Sequence, residues 1–345
     1  LREIGIQPSI LLCRTAYPLN KEMKDKIALF CNIPAEAVVS AKDIQTTIYE
    51  IPLAYREEGL DDLVVKYFNI KNGDPDMRDW KKIVSTIKNP KRGPVKIAVV
   101  GKYIRLQDAY RSVYDALIHG GLANNAGVSI HPIHAEEIEK KGPEELLKDM
   151  DGILVPWGFG KRGIEGKIQT IHYARTQKIP FFGICLGMQC SAVEFARNQL
   201  GLEGASSTEF DADTPYPVIS LLDEQRKVAD KGGTMRLGAY PYNLKKGTIA
   251  RKAYNEDDIQ ERHRHRWEFN NDYREKFDEM GFIVSGTSPD GRLVEIIELK
   301  DHPWFLGCQF HPELKSRPRE PHPLFRSFIR ASLEYHDEKV TATES

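Results

Sequence analysis

The sequence predicts an α/β fold: a mainly parallel sheet flanked by helices, preceded by a smaller α/β segment. Two observations carry this. From residue 95 onward, short continuous apolar runs alternate with segments of helical periodicity, the rhythm of a parallel sheet covered on both faces. The turn-forming steps Asn89-Pro90 and Gly93-Pro94 separate that rhythm from a shorter strand–helix alternation at the start of the chain.

In the first segment, Ile10–Cys13 and Ala37–Ser40 are short apolar runs that predict buried strands. Between them, Lys21–Cys31 places Met23, Ile27 and Phe30 at helical spacing. A second helix is expected at Leu60–Phe68, and a short one around Trp80–Ile87 inside a turn-rich stretch. The main segment opens with the strand Val95–Val100, ending at Gly101. Asp108 can cap a helix whose Val113, Tyr114, Leu117 and Ile118 share one apolar face. Strands follow at Val128–Ile133, Gly152–Val155 and Pro180–Ile184. Residues 203–300 carry more β-type and turn signals. Trp304–Phe310 is a last strong strand and Leu324–Tyr335 a closing helix. The expected division is therefore 1–75 as a first domain, 76–94 as a linker, 95–336 as the main domain and 337–345 as a disordered polar tail.

Composition narrows the function. A chain of 345 residues suggests two domains, and 41% hydrophobic residues suffice for a core. The formal net charge of −1 gives no global electrostatic case for nucleic acid. No apolar run approaches the roughly 20 residues that span a bilayer, so no membrane partner is expected. The opening LREIGIQPSILLCR has no signal-peptide layout and reads as a chain entered partway through a domain. Five cysteines (Cys13, Cys31, Cys185, Cys190 and Cys308) with no C-x-x-C pair fit free thiols in a reducing, cytoplasmic compartment.

The chemistry concentrates at Phe181-Phe182-Gly183-Ile184-Cys185-Leu186-Gly187-Met188-Gln189. An apolar strand runs into Gly-x-Cys-x-Gly and then a helix, the thiol version of a nucleophile elbow. Such a turn strains the nucleophile's backbone, and the glycines keep Cβ atoms out of a crowded corner. The helix N-terminus favours thiolate and offers Leu186 N–H to an oxyanion. A buried strand-end cysteine with packing glycines is the bland alternative. A base and its orienting group are found in Phe310-His311-Pro312-Glu313, where His311 lies at a strand's carboxyl end. If this stretch is extended, Glu313 shares a face with His311 and can reach its ring.

GICLGMQ with QFHPE resembles the class I (triad) glutamine amidotransferases. GKY at 101–103, DAYRSVYDALIHGG at 108–121, STEF at 207–210, GGTMRLGA at 232–239 and ERHRHRWEFNN at 261–271 narrow the resemblance to the CTP synthase family. GIQPSILLCR, KIALFC and SAKD are similar to the end of that family's amidoligase domain. The resemblance implies a class I amidotransferase-like sheet preceded by the remnant of a P-loop-type α/β amidoligase domain, whose phosphate-binding loop this chain lacks. It implies a ligase that hydrolyses glutamine with Cys185, His311 and Glu313. Ammonia would then feed an ATP- and Mg2+-dependent amination of UTP to CTP. Gly158, Leu186, Gly187, Met188, Gln189, Glu209 and Arg266 match glutamine-holding positions. Lys26, with Arg14, matches a UTP/CTP position, and Lys42, Asp43 and Ile44 match ATP positions. Phe159, Arg162 and Glu165 fall in a loop linked to activation by GTP. CTP as feedback inhibitor and a homotetramer are also implied, with no metal site in this chain.

One departure stands out. The family usually reads Pro-Gly-Gly-Phe-Gly where this chain has Pro156-Trp157-Gly158-Phe159-Gly160. A positive φ there would strain Trp157 or redirect an oxyanion amide, at a cost on the order of a hundredfold in rate. That departure motivates a reading as a weakened glutaminase kept for assembly. Another triad amidotransferase, such as GMP synthetase or the carbamoyl-phosphate synthetase small subunit, is the remaining alternative.

Two motifs are decoys. Gly158–Gly163 has G-x-G-x-x-G spacing, but the stretch about 20 residues on is apolar and lacks the acidic partner of a dinucleotide site. Arg262-His263-Arg264-His265-Arg266 contains H-x-H, but nothing nearby completes a metal set. As a strand it would put arginines on one face and histidines on the other.

Overall fold

The computed structural model describes residues 2–71, 73–222 and 235–344; the first three residues of the 232–239 motif lie outside them. The chain forms two compact units, Leu1–Pro90 and Lys91–Ser345.

In the first unit, strands β1 (Leu11–Thr15) and β2 (Val38–Lys42) pair in parallel, with Leu11 opposite Val38. Helix α1 (Lys21–Cys31) connects them. Asn20 caps its start by accepting from Met23 N–H, and Asn32 ends it in a left-handed conformation. Helices α2 (Ile51–Glu57), α3 (Leu60–Tyr67) and α4 (Arg78–Lys88) follow. Helix α4 lies within the span expected as a linker. Its Trp80 indole N–H donates to Tyr49 O at 2.5 Å, which makes it part of this unit. The core is thin (Ala28, Ala37, Val38, Val39, Ile83 and Val84), and Leu29, Phe30, Tyr67 and Phe68 stay exposed.

The second unit is built on a mixed sheet. Its strands are β3 (Arg92–Gly101), β4 (Ala126–His134), β5 (Gly152–Val155), β6 (Phe181–Ile184), β9 (Arg236–Leu244), β10 (Asp258–His265), β12 (Phe282–Thr287), β13 (Val294–Leu299) and β14 (Phe305–Cys308). The order is β10-β9-β12-β13-β14-β6-β5-β3-β4. From β14 to β4 the strands are parallel, and from β13 outward antiparallel. A small second sheet joins β7 (Ser206–Ser207), β8 (Pro217–Ser220) and β11 (Glu268–Phe269).

Every residue of β5 and β6 is buried, as strands covered on both faces require. Alternate residues feed two cores. Ile153, Val155, Phe181 and Phe305 join one, while Leu154, Phe182, Ile184 and Leu306 join the other. Helix α5 (Arg111–Ala123) follows β3, α6 (Ala135–Lys141) and α7 (Pro143–Leu147) follow β4, and α8 (Ile164–Thr176) and α9 (Leu186–Asn198) follow β5 and β6.

The chain's end differs from expectation. The closing helix runs Pro323–Glu344, through the residues expected as a disordered tail. Polar side chains there have partners: Arg92 pairs with Asp337 at 2.6 Å, and His336 Nδ1 meets Asp151 Oδ2 at 3.0 Å. No helix among the described residues is long and apolar enough to cross a membrane.

Candidate active site

Cys185 follows the last residue of β6 and precedes the first of α9, with φ 54° and ψ −102°. This strained backbone is held from both sides. Cys185 N–H donates to Cys308 O at 2.7 Å, and Gln189 N–H returns to Cys185 O at 3.1 Å. The flanking glycines are obligatory on space. A Cβ at Gly187 would fall 2.0 Å from Val155 O, and one at Gly183 would fall 2.8 Å from the Gly187 carbonyl carbon. Leu186, Gly187 and Met188 occupy the first turn of α9, where backbone N–H groups have no partner inside the helix. The Met188 side chain itself is buried in the core.

His311 is brought beside the elbow because β14 lies next to β6 in parallel, Cys308 opposite Ile184. Its backbone N–H donates to Arg262 O at 2.8 Å, which ties the turn to β10. His311 Nδ1 and Glu313 Oε1 are 2.7 Å apart, both side chains buried. The route differs from the extended segment expected. Pro312–Leu314 is a 3-10 turn, closed by Leu314 N–H donating to His311 O, and the turn folds Glu313 back onto the ring. His311 Nε2 makes no hydrogen bond within normal limits and feels the Cys185 sulfur. Burial works against the imidazolium. The Glu313 carboxylate and Cys185 outweigh it and push the His311 pKa up to about 10. The proton therefore rests on the ring at neutral pH.

The 156–160 loop is braced through its carbonyls. Lys167 Nζ donates to Pro156 O (3.1 Å), Tyr110 OH to Trp157 O (3.1 Å) and Lys102 Nζ to Gly160 O (3.0 Å). Trp157 does not have a positive φ, and neither does Gly158. Because the peptide is planar and trans, a Trp157 carbonyl held toward Tyr110 turns Gly158 N–H the opposite way. Gly158 lies against the elbow: a Cβ there would meet Leu186 Cδ2 at 3.3 Å. The Trp157 ring packs edge-on against Tyr110 (centroids 5.3 Å) and His311 (6.2 Å). Trp157 lines, with Phe159 and Arg264, a cavity of about 80 Å³ that His311 and Glu313 also border.

Glu209 Oε1 accepts from Gly160 N–H at 2.8 Å. Burial raises its pKa, against the pull of that N–H, Lys102, Arg266 and Lys167. Arg266 is half-buried, with its guanidinium 5.3 Å from the Trp267 ring centroid. The Gln189 amide is already engaged: its Nε2 donates to Trp267 O (3.0 Å) and Gln309 Oε1 (3.1 Å).

Other expected positions fall elsewhere. Arg162 donates to Glu136 Oε2 (2.7 Å) and Lys102 O (3.2 Å), whereas Glu165 pairs with Arg197 at 2.9 Å. Phe159 is exposed. In the first unit, Arg14 and Asp43 pair with each other at 2.8 Å where β1 and β2 end, next to Lys42 and Ile44. Lys26 is exposed on α1. Along β10 the histidines are buried and the arginines exposed. His263 and His265 join a buried chain that continues to Glu268 at 2.8 Å, which Arg236 meets at 3.2 Å. Among the described residues no group of His, Cys, Asp or Glu could hold a metal ion.

Three residues at the site carried no sequence signal of their own. Lys167 is fully buried, and burial lowers its pKa to about 8. A lysine within a helix reads as surface, and only the tertiary packing reverses that. Tyr110 and Gln309 fall inside the motifs at 108–121 and 309–313, but neither is given a role from the sequence.

Comparison with known proteins gives the same picture over both units. The glutamine amidotransferase class-I family matches residues 105–331, and the CTP synthase N-terminus family matches residues 1–70. The CTP synthase of Syntrophus aciditrophicus is 56% identical over 340 residues, covering 99% of this chain and 63% of its own length. That of Bacillus velezensis is 55% identical over 339 residues, covering 98% and 63%. The chain thus spans 63% of the length of these curated relatives. A solved structure, the Trypanosoma brucei CTPS glutaminase domain with bound acivicin, is 37% identical with a TM-score of 0.65. The match covers 70% of this chain and 94% of that one.

Proposed function

Because this chain belongs to the CTP synthase family of class-I glutamine amidotransferases, we propose that its second unit hydrolyses glutamine and that the longer protein uses the ammonia to make CTP. The observation that carries the reading is the strained Cys185 beside the buried His311–Glu313 pair, on adjacent parallel strands.

In this reading the Cys185 thiolate attacks the glutamine side-chain carbonyl carbon. Leu186 N–H and Gly158 N–H receive the developing oxyanion. The carbon–nitrogen bond then breaks as His311 gives its proton to the leaving nitrogen, releasing ammonia and leaving a γ-glutamyl thioester. His311, now neutral, takes a proton from water. The resulting hydroxide cleaves the thioester to glutamate and restores the thiolate. Glu209 faces the substrate's α-ammonium and Arg266 its α-carboxylate. Gly187, Met188 and Gln189 act through the first turn of α9 and its backing. The thiol is also the expected target of acivicin, the compound bound in the Trypanosoma brucei structure.

The amination of UTP belongs to the longer protein. Lys26 and Arg14 are assigned to UTP or CTP, and Lys42, Asp43 and Ile44 to ATP. Mg2+ would accompany the ATP phosphates, and no residue here is assigned to hold it. Phe159, Arg162 and Glu165 are assigned to activation by GTP, with Arg162 and Glu165 first exchanging their present ion pairs. CTP as feedback inhibitor, a homotetramer and a cytoplasmic location complete the reading. Ammonia release from glutamine is the direct test. Cys185→Ala should abolish it, and a variant as active as the parent would overturn the assignment.

A further inference from the structure

Gln309 lies one residue beyond β14, and none of it is exposed. Its side-chain Nε2 lies 3.6 Å from Cys185 Sγ, a hydrogen-bonding distance for a sulfur acceptor. The direction of that bond is set by a chain of amides. Trp267 O can only accept, so Gln189 turns its NH2 toward it. The same NH2 donates to Gln309 Oε1. With its oxygen committed to Gln189, Gln309 must present its own NH2 to the sulfur. The backbone fixes the other end, Gln309 N–H donating to Glu295 O at 2.8 Å.

We propose that Gln309 is a further catalytic residue, donating its side-chain N–H to the Cys185 sulfur and holding that sulfur as the attacking lone pair. This rests on the triad reading above and adds a second contact to the nucleophile, opposite in kind to that of His311. His311 takes and gives a proton; Gln309 offers one and keeps it. Donation to a charged acceptor is stronger than to a neutral one, so the bond favours thiolate over thiol. It also removes one rotational freedom from Sγ before attack. The titratable groups acting on Cys185 are His311 with Glu313 behind it, Lys167 from α8 and Cys308 from β14. Gln309→Met leaves all of them in place, whereas Gln309→Glu adds a carboxylate beside the sulfur.

The test is the pH dependence of Cys185 alkylation by iodoacetamide, read by peptide mass spectrometry on the whole chain. Gln309→Glu keeps an acceptor for Gln189 but loses the N–H toward sulfur. Gln309→Met loses both at nearly the same volume. Each should move the alkylation midpoint up by about one pH unit and lower glutaminase kcat/KM about tenfold. Parental midpoints and turnover in both variants would overturn the proposal. So would a rise in KM alone, which would make Gln309 a brace for the Trp267 segment beside Arg266. Alkylation needs no turnover, so an inactive parent would count against the glutaminase reading and leave the midpoint comparison intact.

Discussion

At the residue scale, the proton on His311 carries a definite pH dependence. Its pKa is held at about 10 in the folded chain against 6.5 for an ordinary histidine. The pairing therefore contributes its full stability below about 6.5 and loses it as the pH rises through about 10. Proton delivery to the leaving nitrogen should persist over the same range. Glu313→Gln removes the carboxylate that sustains the shift. The alkaline limb of the kcat–pH profile should then move down toward the ordinary histidine range, with kcat lower by about a hundredfold or more. Trp157 raises the opposite expectation. Both amides proposed for the oxyanion are backbone groups and the loop is braced at its carbonyls, so Trp157→Gly should change glutaminase kcat by less than about tenfold, against the hundredfold or more for losing a donor. Cys185, His311 and Glu313 could be proposed from sequence because elbow and His-Pro-Glu are local patterns. Gln309, Tyr110 and Lys167 could not, since only the tertiary packing turns them toward Cys185 and the 156–160 loop.

At the element scale, the site is a product of strand adjacency. β6 and β14 are separated by nearly half of the second unit in sequence, yet they run side by side and end together. The strand–helix rhythm made the parallel half of the sheet legible, because each strand is a short continuous apolar run. The antiparallel half was less so: β9 and β10 alternate buried and exposed residues, and their signal mixes with turns. Glu313 illustrates the limit of local pattern. Its contact with His311 was foreseen, but through an extended segment, whereas the chain uses a 3-10 turn. The closing helix also runs further than expected, with Asp337 paired to Arg92 and His336 to Asp151. The elbow's packing gives a sharp test. Gly187→Ala puts a methyl 2.0 Å from Val155 O, with no room for relaxation by a flexible side chain. Thermal unfolding should show a loss of about 3 kcal/mol, accompanied by loss of glutaminase activity.

At the scale of the whole molecule, the two units stand differently. The second has a two-faced core and holds Cys185, His311 and Glu313, whereas the first has a thin core and matches the N-terminus family of the CTP synthases. The glutaminase half of the proposed chemistry can therefore be tested in this chain, which spans 63% of the length of its CTP synthase relatives. The most direct measurement is covalent trapping with diazo-oxo-norleucine, a glutamine analogue that alkylates the nucleophile of a working glutaminase, followed by peptide mass spectrometry. One adduct is expected, on Cys185, protected by excess glutamine and absent in Cys185→Ala. Labelling at Cys190 or Cys308 instead, or no adduct on an otherwise folded chain, would contradict the assignment of Cys185 as the nucleophile.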